Sequence, residues 1–116
     1  MNSMTAQVEK ANGRIEKKLA DLGIQLPASS LPAANYVPYV TSGKTVFISG
    51  QLPMKDGKPQ DIGKVGKEFT VEQAQMTARL CAINVLAHLR AACSGNLDRV
   101  KRCVRLGVFV NSTDSF

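Results

Sequence analysis

The chain has 116 residues and a net charge of +6, with 44% hydrophobic and 21% charged residues, which is the mix of one soluble globular domain. This composition argues against a disordered chain, and no stretch has the roughly 20 apolar residues of a membrane helix. The basic excess is spread along the chain apart from one cluster at Arg99, Lys101, Arg102 and Arg105. Because tryptophan is absent and aromatic residues are few, a nucleic-acid partner is disfavoured.

The N-terminal part of the chain is predicted to be a helix followed by a linker. Apolar residues recur at helical spacing over residues 4–23, although Gly13 lies in the middle of this pattern, and Gly23 is a stop signal. Residues 25–35 contain two prolines and show no period, so they are predicted to be a linker. We therefore divide the chain into an appended helix and linker, residues 1–34, and a domain, residues 35–116.

A β-hairpin is predicted next. Residues 36–40 and 45–49 are rich in β-branched and aromatic side chains and are separated by a Thr-Ser-Gly-Lys turn, with Pro38 placing the first arm at an edge or a bulge. Residues 54–69 are predicted to be a surface loop that contains a turn at Asp56-Gly57.

A long helix and a final strand complete the predicted elements. Thr70 and Gln73 have the spacing of a capping box, and the apolar stripe after them extends to Ser94-Gly95 and predicts a helix buried on more than one side. Residues 97–111 alternate like a strand, with an apolar face that includes Val104 and Val108. Because no later strand covers its edge, we expect another chain, or further sequence, to pair with it.

The cysteines and the single histidine carry few signs of chemistry. Cys81, Cys93 and Cys103 are too widely spaced, with only one histidine, to form a structural zinc site. All three cysteines are predicted to be packing residues, and His88 is predicted to be a surface or boundary residue. Free thiols and the lack of a secretory apolar region predict an intracellular compartment, either the cytoplasm or an organellar matrix.

The most interesting candidate site is the end of the second hairpin arm. Ser49-Gly50-Gln51 turns at a glycine, where a backbone N–H is able to approach a ligand closely, and Tyr39 lies on the partner arm. Two hydroxyl groups and a bare amide suit a small carboxylate. An ordinary hairpin has the same pattern, so the residues alone leave both interpretations open.

These segments resemble the RidA/YjgF family, also catalogued as endoribonuclease L-PSP. The resemblance rests on Pro-Tyr-Val at 38–40, Val-Phe-Ile-Ser-Gly-Gln-Leu-Pro at 46–53, Leu-Asp-Arg-Val-Lys-Arg at 97–102 and Gly-Val-Phe-Val-Asn at 107–111, and covers residues 35–116. It implies a chorismate-mutase-like α+β fold, assembled as a homotrimer with ligand clefts between subunits. The appended N-terminal helix is similar to that of a longer subgroup.

The resemblance also implies a reaction. Family members hydrolyse reactive enamines and imines of the 2-aminoacrylate type to 2-keto acids and ammonia, without metal or organic cofactor. By position, Tyr39 matches a catalytic residue, and Ser49, Gly50 and Asn111 match residues that bind the small 2-imino or 2-keto acid.

The chain departs from the family pattern at its C-terminal end. Family members continue with a second helix and further strands, which carry an arginine that binds the substrate carboxylate and a glutamate that positions water. The 116 residues are therefore expected to be the N-terminal two-thirds of a family fold, and inactive as they stand. The alternatives are a non-catalytic metabolite-binding trimer or pseudo-enzyme, and a ribonuclease or translation inhibitor, against which the scattered charge argues.

Overall fold

A computed structural model describes residues 13–29 and 35–116, and within them the chain combines helices with antiparallel hairpins. The helices are α1, Arg14–Asp21, and α2, Val71–Ala92, and a 3-10 turn follows at Leu97–Arg99. The strands are β1, Tyr39–Ser42, β2, Thr45–Ile48, β3, Met54–Lys55, and β4, Lys58–Pro59. The predicted α+β class is confirmed.

Both hairpins form where turn residues interrupt β-forming sequence. Strands β1 and β2 pair antiparallel, with Tyr39 opposite Ile48 and Ser42 opposite Thr45, and Gly43 supplies a positive φ of 59° between them. The predicted turn at Asp56-Gly57 is confirmed, since both residues have positive φ and join β3 to β4. The loop predicted over 54–69 thus contains a small hairpin that the sequence pattern did not reveal.

Helix α2 begins at the predicted capping box. The Thr70 hydroxyl accepts a hydrogen bond from the Gln73 amide, and the Gln73 side chain accepts one from the Thr70 amide. These two bonds satisfy amides that would otherwise lack a helical partner. The helix packs against the β1–β2 hairpin and against β3, and its buried residues are Ala87 and His88.

The core lies between the N-terminal helix, the segment after it and α2. Leu19, Leu26 and Leu97 form the buried cluster, and Leu97 is only 1% exposed. The partly buried residues packed around it are Ile15, Ile24, Ile83, Leu86, Leu89 and Val100. The N-terminal helix therefore contributes directly to the hydrophobic core of the chain.

Polar contacts reinforce the docking of α1. The Asp98 carboxylate accepts hydrogen bonds from the backbone amides of Arg14 and Ile15, both at 2.8 Å. These bonds hold the pKa of Asp98 below its ordinary value of 3.8, and they cap the first turn of the helix with a negative charge. Arg90 of α2 lies 3.9 Å from Glu16 and donates to the carbonyl oxygens of Leu26 and Pro27.

Two sequence predictions are wrong in their extent. Gly13 adopts an extended conformation with ψ of 154° and is the N-cap of α1. The predicted helix over 4–23 is therefore interrupted at Gly13, and the part of the prediction that covers residues 4–12 lies outside the described residues. The predicted strand over 97–111 is replaced by the 3-10 turn and by residues 100–111, which pair with no strand among the described residues. Alternation identifies a side-chain pattern, but a strand also requires a neighbour to bond with.

Candidate functional site

The end of the β1–β2 hairpin positions the first two predicted site residues. The Ser49 amide donates to the Pro38 carbonyl at 3.0 Å, which extends the ladder beyond Tyr39 and Ile48. The Ser49 hydroxyl donates to the Val37 carbonyl at 2.5 Å. Tyr39 and Ser49 thus lie on neighbouring arms of one hairpin end, and both are half-buried.

Gly50 follows as an open position. A Cβ atom built on Gly50 has no neighbour within 4 Å, and the residue is exposed. Among residues 13–29 and 35–116, its amide N–H has no hydrogen-bond partner. Its φ lies outside the left-handed region, so a Cβ atom is sterically and conformationally tolerated at this position within the chain.

Helix α2 fixes the segment that leaves the hairpin. The Asn84 side-chain amide donates to the carbonyl oxygens of Leu52 and Met54, at 3.2 and 3.1 Å. One helical turn later, His88 Nε2 lies 3.1 Å from Gln51 Oε1, while Gln51 Nε2 donates to the Ser49 carbonyl at 2.9 Å. Residues at i and i+4 share a helix face, so one face of α2 holds both ends of residues 49–54.

His88 is buried, and its prediction as a surface or boundary residue is wrong. It is 4% exposed, and its Nδ1 lies 2.7 Å from the Ser29 hydroxyl. Burial lowers its pKa below 6.5, because the charged form loses hydration. Sequence reasoning missed both Asn84 and His88. The available signal was their spacing of four as polar residues within an otherwise apolar stretch of helix.

Asn111 lies against a different part of the molecule. Its side-chain amide donates to the Gly63 carbonyl at 3.0 Å, and its own carbonyl accepts from the Val65 amide at 2.9 Å. The Thr113 amide donates to the Val65 carbonyl, which completes a short parallel bridge. Asn111 therefore anchors the loop before α2, and none of these bonds joins it to the hairpin. Its predicted contact with substrate stays a prediction.

The three cysteines show few features of a reactive site within one chain. Cys93 is buried, as predicted, and burial raises the pKa of the half-buried Cys81. Cys103 is exposed, contrary to its predicted packing role, because the strand that would have packed it does not form. Within the part of the chain that the structure describes, no cluster of three histidine, cysteine or acidic residues is placed to hold a metal ion. No described helix is long and apolar enough to cross a membrane.

The sequence and the fold match one protein family. The profile described as "YjgF/chorismate_mutase-like, putative endoribonuclease" matches residues 16–116. The chain belongs to the YjgF family. Its fold is accordingly the chorismate-mutase-like α+β fold of that family.

Relatives of known sequence or structure agree with this membership. "Protein TCP17" of Trypanosoma cruzi is 50% identical over 106 residues, which are 91% of this chain and 66% of the relative. A solved structure, Atu1372 of Agrobacterium tumefaciens with unknown function, is 46% identical with a TM-score of 0.66, covering 76% of this chain and 53% of that one. A "putative endoribonuclease" of Shewanella oneidensis MR-1 is 36% identical with a TM-score of 0.70, covering 75% and 57%.

The relatives are longer than this chain. The chain spans between about half and two-thirds of the length of the proteins it matches. The names of the Trypanosoma and Agrobacterium proteins state no substrate, and that of the Shewanella protein states only a putative endoribonuclease.

Proposed function

We propose that this YjgF-family protein binds the carboxylate of a small 2-imino or 2-keto acid at Gly50 and that the whole protein hydrolyses enamines and imines to 2-keto acids and ammonia. One observation carries the proposal, namely that Gly50 is exposed at the end of the hairpin and that its amide N–H has no hydrogen-bond partner among the described residues. A backbone N–H directed at an oxyanion forms a charge-assisted hydrogen bond, which is stronger than a neutral one.

The reaction requires orientation more than strong acids or bases. The enamine first gains a proton at its terminal carbon and loses one from its nitrogen, which gives the imine. Water then adds to the imine carbon, and the resulting carbinolamine loses ammonia to leave the keto group. These steps need only proton transfers, the addition of water and the departure of ammonia, so general acid–base help from one hydroxyl is sufficient. Tyr39 is our candidate for that hydroxyl, because it lies on the arm opposite Ser49.

The hydrogen bond that the Ser49 hydroxyl already donates limits how this hydroxyl is able to contact a ligand. Its single hydroxyl proton is donated to the Val37 carbonyl. The oxygen lone pairs stay available, and they suit the N–H of an imine better than a carboxylate. We therefore assign carboxylate binding to the Gly50 amide and nitrogen recognition to the Ser49 oxygen.

Assembly as a homotrimer belongs to the same proposal. Residues 104–110 expose five large apolar side chains. Val104, Leu106 and Val108 are each exposed over two-thirds or more of their area, Val110 over about half, and Phe109 completely. On the hairpin, Val40 and Phe47 face each other across the ladder and are also exposed. Apolar surface of this extent usually marks a protein interface, and two further copies of the chain are our proposed occupants.

An endoribonuclease is the second candidate, because the printed descriptions of the family and of the Shewanella protein use that word. The chain contains one histidine, and His88 is 4% exposed and bonded through both ring nitrogens. A general base for RNA cleavage must be within reach of the ribose hydroxyl. The burial of His88 therefore favours the imine reaction.

Carboxylate binding at Gly50 is tested by replacing this glycine with a residue that has a side chain. A Cβ atom at Gly50 meets nothing within 4 Å apart from its chain neighbours, so we expect Gly50→Val to keep the melting temperature. The added side chain should obstruct the approach of a carboxylate to the amide, so we expect loss of pyruvate binding, followed by NMR. Thr45→Val, at an exposed position of the same hairpin, is the matched control and should bind pyruvate normally. Binding by folded Gly50→Val at the affinity of the unmodified chain would refute the assignment.

Turnover separates an enzyme from a metabolite-binding protein. Ammonia release from 2-iminopropionate is measured on the 116 residues and on the same residues continued by the C-terminal segment of the Trypanosoma relative. Because the family resemblance implies that the arginine and the glutamate lie C-terminal to these 116 residues, we expect activity only in the longer form. Equal activity in both would assign the chemistry to residues such as Arg105. Binding without turnover in either form would favour a non-catalytic protein, and cleavage of RNA would favour the ribonuclease.

A further inference from the structure

A partly buried series of hydrogen bonds, centred on the buried His88, connects the N-terminal segment to the candidate site. It runs from the Ser29 hydroxyl to His88 Nδ1 at 2.7 Å, from His88 Nε2 to Gln51 Oε1 at 3.1 Å, and from Gln51 Nε2 to the Ser49 carbonyl at 2.9 Å. His88 is the central member, and it bonds on both sides from within the interior. The last acceptor is the carbonyl of the peptide group whose N–H is the Gly50 amide.

The Ser49 carbonyl, at the end of this series of hydrogen bonds, determines where each proton lies. The Ser49 carbonyl only accepts, so the amide nitrogen of Gln51 must face it and Gln51 Oε1 must face His88. Since Oε1 also only accepts, His88 Nε2 carries a proton. Burial keeps the ring neutral near pH 7 by lowering its pKa, which leaves Nδ1 to accept from the Ser29 hydroxyl.

We propose that His88, as its neutral Nε2–H tautomer, is a positioning residue that orients the Ser49–Gly50 peptide group through Gln51, so that the Gly50 amide points at the ligand carboxylate. This inference rests on the proposed function for the ligand itself. The peptide group is planar, so a bond to the Ser49 carbonyl also fixes the direction of the Gly50 N–H. The Ser29 hydroxyl holds the opposite side of the ring and thereby links the segment after α1 to the same peptide.

The alternative is a histidine that only fills the interior. Both roles predict some loss of stability when the ring is removed, because a buried polar group left without its partner is costly. They differ in what happens at Gly50 while the protein stays folded. A positioning role requires the donor at Nε2, whereas a filling role requires only volume.

Two variants separate volume from the donor. His88→Phe keeps the ring and removes both nitrogens, and His88→Gln keeps an N–H donor that reaches the Nε2 position. The first measurement uses nitrogen-15 chemical shifts of the imidazole, and we expect the proton on Nε2. The second follows backbone amide shifts without ligand. His88→Phe should move Ser49, Gly50 and Gln51 and leave the middle of β2 unchanged, whereas His88→Gln should stay close to the unmodified chain.

The third measurement titrates pyruvate and follows the Gly50 amide. Loss of one orienting hydrogen bond should weaken binding by about 5-fold to 10-fold in His88→Phe, and His88→Gln should restore most of it. A proton on Nδ1, or unchanged shifts and affinity in folded His88→Phe, would overturn the inference. If pyruvate leaves Gly50 of the unmodified chain unperturbed, the proposed function fails, and the ligand-free shifts still decide whether His88 orients the peptide.

Discussion

Leu19 provides the sharpest test of whether the N-terminal helix is part of the cooperative fold. Its side chain is 7% exposed and packs in the cluster with Leu26 and Leu97. Leu19→Ala leaves a cavity in that cluster, and such changes cost about 2–5 kcal/mol. Because α1 has only eight residues and one buried side chain, we expect the lower half of this range, about 2–3 kcal/mol.

The expected change in melting temperature follows from the size of the chain. An unfolding entropy of about 2.1 cal/mol/K per residue corresponds to about 0.24 kcal/mol/K for this length, so the melting temperature should fall by about 8–12 °C. Thermal unfolding is followed by circular dichroism at one protein concentration, because the melting temperature of any protein that assembles depends on its concentration.

Leu22 supplies the matched control. It is the same residue type at the end of the same helix, but it is 56% exposed. Leu22→Ala should therefore cost less than about 1 kcal/mol and shift the transition by no more than a few degrees. If Leu19→Ala behaves like Leu22→Ala, or leaves the main transition in place, the N-terminal helix is an independent appendage and our account of the core is wrong.

Three further predictions concern the site, the docking of α1 and assembly. Tyr39→Phe in the turnover-competent form should lower the rate about 10-fold to 100-fold with little change in stability, since only a hydroxyl is lost; full activity in a folded variant would remove Tyr39 from the site. The folded state lowers the pKa of Asp98, so its stabilisation is present above pH 3.8 and is lost as the pH falls through the folded value. Asp98→Asn should therefore lower the melting temperature at pH 7 and flatten its decline in acid, and an unchanged acid slope would contradict this. Sedimentation should give a trimer at micromolar concentration, and a clean monomer would refute the proposed assembly.

Local signals determined the elements with their own turn or cap residues. The Thr70–Gln73 capping box and the Asp56-Gly57 turn lie where the sequence predicts them, because each is formed by neighbours in the chain. The hairpin follows for the same reason, although β1 begins three residues and ends two residues later than predicted, and β2 ends one residue earlier. The family was also recognisable from sequence, because its motifs at 38–40, 46–53, 97–102 and 107–111 are short runs of neighbouring residues.

The tertiary structure alone decided which side chains meet across the chain. The spacing of Asn84 and His88 on an apolar helix marks them as candidates, but it does not identify their partners, so the bonds of His88 to Ser29 and Gln51 could not be predicted. Asn111 shows the same limit, since its bond to Gly63 crosses 48 positions of sequence. The pattern over 97–111 records a side-chain alternation, but whether it forms a strand depends on a neighbouring backbone, which alternation in one segment does not specify.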